Sequence, residues 1–131
     1  MTKHAVVELG AGTGYWARLI QDRGGKVAAF DNWSWQNSGA LWFLVATGNE
    51  SVLDNYVDRT LLLVMPGRPG KADQFVRKWR GNRLVVVTGG GFPFTDDPYR
   101  ETALSEGGWQ LLEDRKLPEA VGTKVVTTWR R

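Results

Sequence analysis

Cysteine is absent from the 131 residues, and histidine occurs once, as His4. The first absence excludes disulfides, zinc-thiolate sites and any thiol nucleophile. The lone His4 falls at the N-terminal end of the first apolar run, so no catalytic role is expected of it, and no metal site is expected anywhere. Also missing is any run approaching the roughly 18 apolar residues of a membrane span, and the start MTKHAVVELG lacks the apolar core and cleavage site of a secretory signal. These absences read as a soluble, cytoplasmic protein with no membrane partner. Internal repeats, low-complexity tracts and linkers are lacking too, so 1–131 reads as a single domain.

What is present is a series of short apolar runs: HAVVEL (4–9), KVAAF (26–30), LWFLVA (41–46), TLLLVM (60–65) and RLVVV (83–87). Their near-continuous apolar character suits strands covered on both faces, hence a parallel sheet between helices. Residues 14–23 and 71–80 carry apolar positions at helical spacing, and Asp97, Pro98 and Gly107 bracket a third helix over 98–106. Two further strands, 109–116 and 123–130, are joined by six residues, a link short enough only for antiparallel pairing. The fold class is α/β, a three-layer α/β/α Rossmann-like sandwich whose mostly parallel sheet is closed by a C-terminal antiparallel hairpin.

VVELGAGTGYW (6–16) carries the chemistry. Gly10, Gly12 and Gly14 follow the first strand directly, at the sheet edge where open α/β folds bind ligands, and glycine permits the positive φ and close approach that such a loop needs. A dinucleotide fingerprint would be GxGxxG, but the sixth position counted from Gly10 is Tyr15. A phosphate-binding P-loop would need GxxxxGK, and no lysine follows. The spacing is GxGxG, preceded by a lone acid, Glu8.

This pattern resembles motif I of the class I S-adenosylmethionine-dependent methyltransferases, in a minimal version without the N-terminal helices that usually cap the acceptor site. The resemblance implies S-adenosyl-L-methionine as cofactor. By it, Glu8 holds the ammonium of the methionyl half, and Gly10, Ala11, Gly12, Gly14 and Tyr15 form the loop against that half. Asp31, ending the second strand, takes the ribose hydroxyls with Asn32 and Trp33 beside it. Asn49 stands where the family often has aspartate at the adenine, and Met65 with Pro66 ends the fourth strand. The final hairpin resembles the family's sixth and seventh strands. On this reading Asp31 faces the ribose, and its removal leaves the unliganded fold nearly unchanged.

The resemblance implies a methyltransferase with an unidentified acceptor, and the alternative is a non-catalytic Rossmann-like module that binds S-adenosylmethionine or a partner protein. Catalytic residues are not assigned: Tyr15, Asn32, Asp96, Asp97 and Tyr99 are candidates only. Trp33, Trp35 and Trp42 suggest an aromatic cage, although core or cover packing is the expected use for at least two of them. Residues 67–83 carry a net charge of +5 with Phe75 and Trp79 interleaved. Helical spacing buries those aromatics and leaves the cations in water, a solvated surface rather than a phosphate track. An open acceptor site has three explanations: a macromolecular acceptor supplies the missing wall, a second copy of the chain does, or cofactor binds without turnover. Segments 33–42 and 89–97 flank the site and are expected to order on binding.

Overall fold

The structure is a computed structural model, and it describes residues 5–32, 41–64, 71–89, 104, 106–116 and 124–131. Seven strands form one sheet: β1 Val6–Leu9, β2 Val27–Asp31, β3 Ala46–Thr47, β4 Thr60–Val64, β5 Arg83–Gly89, β6 Gln110–Lys116 and β7 Lys124–Arg130. Their order across the sheet is β3-β2-β1-β4-β5-β7-β6. Pairings from β3 through β5 are parallel, whereas β7 is antiparallel to both β5 and β6. The architecture is thus the mostly parallel α/β sheet with a closing hairpin that the apolar runs imply.

Helix α1 (Tyr15–Asp22) joins β1 to β2, and α2 (Lys71–Lys78) joins β4 to β5. The first crossover moves toward one sheet edge and the second toward the other, so right-handed connections set the helices on opposite faces. Side chains follow suit. Val7 and Leu9 of β1, Leu61 and Leu63 of β4, and Leu84 and Val86 of β5 pack with Phe75, Val76 and Trp79 beneath α2. On the other face Ala17 of α1 packs with Ala29 and Val45. Glu8 lies on this second face, opposite Ala29 and Leu62 in register.

The run LWFLVA departs from its expected strand. Only Ala46–Thr47 pairs with β2, opposite Phe30 and Asp31. Upstream, the Trp42 N–H donates to the Thr13 carbonyl at 2.8 Å, and Phe43 and Val45 pack toward the α1 side of the sheet. Contact with α1 therefore draws residues 41–45 off the sheet edge, and the apolar run reflects burial of alternate side chains against a helix rather than strand pairing. Below β3 the bare edge of β2 lines a cleft of about 520 Å³ with Phe43, Leu44 and Gln21. A 3-10 segment, Glu50–Asn55, which the periodicity does not signal, follows β3 and buries Leu53 in the α2-side core.

At the opposite edge β6 is exposed along all seven residues. A register shift between Leu111 and Glu113 and an exposed Glu113–Arg115 ion pair of 2.6 Å blunt it against further pairing. Of the expected third helix, Leu104 and Glu106 are helical and the rest lies outside the described residues, as does His4.

Arg131 fastens the hairpin to the rest of the sheet. Its guanidinium lies 4.4 Å from the Trp109 ring centroid and donates to the carbonyls of Trp79, Gly81 and Gly107. A planar guanidinium can stack on the ring while its edge donates to carbonyls spread around it; a compact ammonium cannot do both. Arg131→Ala should therefore lower the urea midpoint by the equivalent of about 2 kcal/mol, with Arg131→Lys recovering little of it. An unchanged midpoint in both variants would show that the contact carries no stability.

Candidate functional site

The chain runs outward from β1 through β2 to β3, then returns past β1 to β4 on its other side. The strand order reverses there, and the carboxyl ends of strands at such a switch point are where open α/β sheets bind ligands. Leu9 delivers the glycine loop to this point. Gly10, Gly12 and Gly14 have φ of +77°, +59° and +83°, so all three occupy the left-handed region that side chains resist.

Four of the loop's amides are already used. Gly10 N–H and Ala11 N–H both donate to the Phe30 carbonyl, at 2.8 and 2.9 Å, and Gly14 N–H donates to Ala11 at 2.9 Å. Gly12 N–H donates to Asp31 Oδ2 at 2.8 Å. Phosphate cradles work by aiming such amides at the anion. Here four of them point at protein oxygens, which disfavours a pyrophosphate ligand and agrees with the missing GxxG spacing. What the loop presents instead is bare Cα surface: a Cβ built on Gly10 would meet nothing within 4 Å.

Beneath the loop lies Glu8, 1% exposed. Burial, and secondarily the charge of Asp31, pushes its carboxyl up to about 8. One oxygen, Oε1, is buried without a hydrogen-bond partner in the structure. A buried acceptor without a donor is costly, so this is where a donor from outside is wanted. A positively charged donor would fit best, since it would also restore the carboxylate.

Asp31 is 3% exposed and holds the loop through Gly12. This corrects the expectation that it faces only outward: one oxygen fastens the glycine loop to the end of β2, and removing it must loosen the unliganded site. Asn32, beside it, is exposed. Asn49 is occupied locally, its Oδ1 accepting from Ser51 N–H at 2.9 Å and Ser51 Oγ at 2.6 Å as the cap of the 3-10 segment. Tyr15 opens α1 and is half-exposed, edge-on to Trp42. Trp33, Trp35, Met65, Pro66, Asp96, Asp97 and Tyr99 lie outside the described residues, as do 33–40 and 90–97 of the two flanking segments. The structure therefore brings Glu8, the three glycines, Ala11 and Asp31 together and sets Tyr15 at the rim.

One contributor, Phe30, was invisible in sequence, and Trp42 was noted there for its ring and not for its backbone. Phe30 acts through its carbonyl, a role any residue could fill, so no side-chain signal marks it. Trp42 anchors residues 41–45 to the loop while leaving its ring outside, where an indole is ordinarily expected in a core. On α2 the basic surface is partly neutralised: Arg77 pairs with Asp73 at 2.8 Å and Glu106 at 2.6 Å, and Phe75 and Trp79 are buried. The two aromatics thus face inward, as the helical spacing implies. Among the described residues no group of three metal-ligating side chains occurs and no helix is long and apolar enough to cross a membrane.

No family model matches the chain, and no curated protein matches its sequence. Its fold, however, is shared with solved methyltransferases. It resembles a ribosomal protein L11 methylase from Lactobacillus delbrueckii subsp. bulgaricus with TM-score 0.69 and 16% identity, over 100% of this chain and 71% of that one. A SAM-dependent methyltransferase from Archaeoglobus fulgidus gives TM-score 0.64 and 12% identity over 98% of this chain and 86% of that one. The magnesium protoporphyrin IX methyltransferase of Synechocystis PCC 6803, solved with bound SAM, gives 0.61 and 9% over 98% and 70%. Other matched chains are longer, and this one spans only 50% of S. pombe Dnmt2. At these identities the likeness is one of fold: the chain has the Rossmann-like fold of the S-adenosylmethionine-dependent methyltransferases.

Proposed function

We propose that the chain binds S-adenosylmethionine over the glycine loop and serves as a methyltransferase. The observation that carries this reading is the buried, partnerless oxygen of Glu8 under a glycine loop four of whose amides already donate within the chain. Such a site asks for a cationic donor and a ligand that packs on Cα surface, not for a phosphate. The methionyl ammonium meets the first demand, and the cofactor's methionyl half lying along Gly10 to Gly12 meets the second.

When bound, the cofactor supplies a methyl group already activated on sulfonium. The chain's own task is then to bind, orient and exclude water. Glu8 would fix the ammonium, Asp31 would accept from the ribose hydroxyls while still holding Gly12, and Asn32 would sit at the same rim. A general base is not required for an acceptor that is already nucleophilic, so transfer does not depend on finding an acid–base pair among the described residues.

The test is a thermal and calorimetric titration with S-adenosylhomocysteine, S-adenosylmethionine and NAD. S-adenosylhomocysteine at a hundredfold excess over its dissociation constant should add about 2.7 kcal/mol by mass action, raising the melting temperature by roughly 10 °C. NAD should leave it unmoved. Binding of NAD alone would overturn the assignment, and binding without turnover on any acceptor would favour a cofactor-binding module.

A further inference from the structure

Trp42 combines an anchored backbone with a side chain left in water. Its N–H donates to the Thr13 carbonyl at 2.8 Å, and its own carbonyl accepts from Arg18 Nη1 at 3.5 Å. Both main-chain groups are thus tied to the glycine loop or the first turn of α1. The indole is nonetheless 57% exposed, and Tyr15 beside it 47%. Their centroids are 5.9 Å apart with planes at 85°, and Leu41, next in the chain, is also exposed. Scattered apolar side chains on a surface are ordinary, but an adjoining group at the rim of a candidate site, on a fixed backbone, is a binding surface in waiting.

The geometry selects the kind of ligand. A cage for an ammonium group needs ring faces converging on one point. An edge-to-face pair does not offer this, because one ring's edge already occupies the other's face. The charged group on the flank is the Arg18 guanidinium, ion-paired to Asp22 at 2.9 Å, which gives a cation no carboxylate of its own. A flat ring meets neither obstacle: it stacks on outward π surface.

We infer that Trp42, backed by Tyr15, is a stacking platform for the planar heteroaromatic ring of the methyl acceptor, a nucleobase either free as a nucleotide or within a single strand. Thr13, to which the platform is tied, stands between Gly12 and Gly14, so the ring would rest beside the proposed cofactor contact. This rests on the S-adenosylmethionine reading above.

The test uses the full chain saturated with S-adenosylhomocysteine, probed by calorimetry with guanosine 5′-monophosphate and with a ten-residue oligouridylate. At least one probe should bind. Trp42→Ala should weaken that binding about tenfold, as loss of one stacking ring does, while Trp42→Phe keeps most of it and both variants bind S-adenosylhomocysteine as the parent does. Binding of the monophosphate supports a free nucleotide, and binding of the oligonucleotide alone supports a strand. Binding of neither probe overturns the platform, and so does a parallel loss of S-adenosylhomocysteine affinity in Trp42→Ala, which would assign the ring to the cofactor. If S-adenosylhomocysteine fails to bind the parent, the cofactor reading falls by itself. Trp42-dependent probe binding to the unliganded chain would then retain a ring site but overturn its acceptor role.

Discussion

From pH 6 to pH 7 the affinity for S-adenosylhomocysteine should rise about tenfold, levelling off only above pH 8, and Glu8→Gln should abolish the slope. In the unliganded protein Glu8 is protonated at neutral pH, because burial first and the neighbouring Asp31 charge second hold its carboxyl up at about 8. An ammonium ligand needs the carboxylate. Below pH 8 the carboxylate fraction grows tenfold per unit, and affinity follows it.

Stability of the empty protein should run the other way. The folded-state value is raised above the ordinary 4.5, so the contribution is fully present below that value and is lost as pH rises through about 8. The shift sets an upper bound of about 5 kcal/mol on this loss. Urea midpoints across that range should fall for the parent and stay level for Glu8→Gln, which keeps a neutral side chain of the same shape. Affinity that is flat with pH in the parent would remove Glu8 as the ammonium partner, whatever the stability profile shows.

The second large effect separates two glycines that look alike in sequence. Both Gly10 and Gly14 have positive φ, so alanine at either costs about 1 to 2 kcal/mol in backbone conformation. At Gly14 the new Cβ would also lie 2.7 Å from Phe43 Cβ and 3.1 Å from the Phe43 nitrogen. Backbone cannot retreat as a flexible side chain can, so Gly14→Ala should cost about 3 kcal/mol or more and Gly14→Val should prevent folding. At Gly10 nothing stands in the way within 4 Å. Gly10→Ala should fold with only the conformational loss, yet lose S-adenosylhomocysteine affinity, because the methyl group enters the space proposed for the cofactor. Chemical denaturation and calorimetry on the pair would read this directly; equal stability of the two variants would contradict the packing of residues 41–45 over α1.

That packing also marks where reading the sequence stops working. β1, the glycine loop and α1 were legible because three independent signals coincide there: an apolar run, glycines at fixed spacing and a helical period. Residues 41–46 offered only apolarity, which reports burial without saying what covers it. Their partner proved to be α1, through Gly14 and Ala17, leaving two residues for the strand. The 3-10 segment is too short for periodicity, although Asn49 two residues before Ser51 is a capping pattern that a closer reading could have used. Within the site, Glu8 was legible by type and place. The double duty of Asp31 was not, since a hydrogen bond to Gly12, 19 residues away, depends on how the loop folds over β2.

The insertion of β7 between β5 and β6 bears on how the chain reaches its native state. Val86 pairs with Thr127, 41 residues later, whereas β6 and β7 are neighbours along the chain. Closing the longer loop costs more chain entropy, and non-local pairings form late. The expected order is therefore that the hairpin assembles first and docks on β5 as a finished unit. Until it does, β5 is the terminal strand of an unfinished parallel sheet, with the apolar residues of RLVVV along an open edge. During synthesis that edge stays bare until residues 124–130 have emerged, which makes this interval, rather than the folded protein, the point at which chains are most prone to pair with one another.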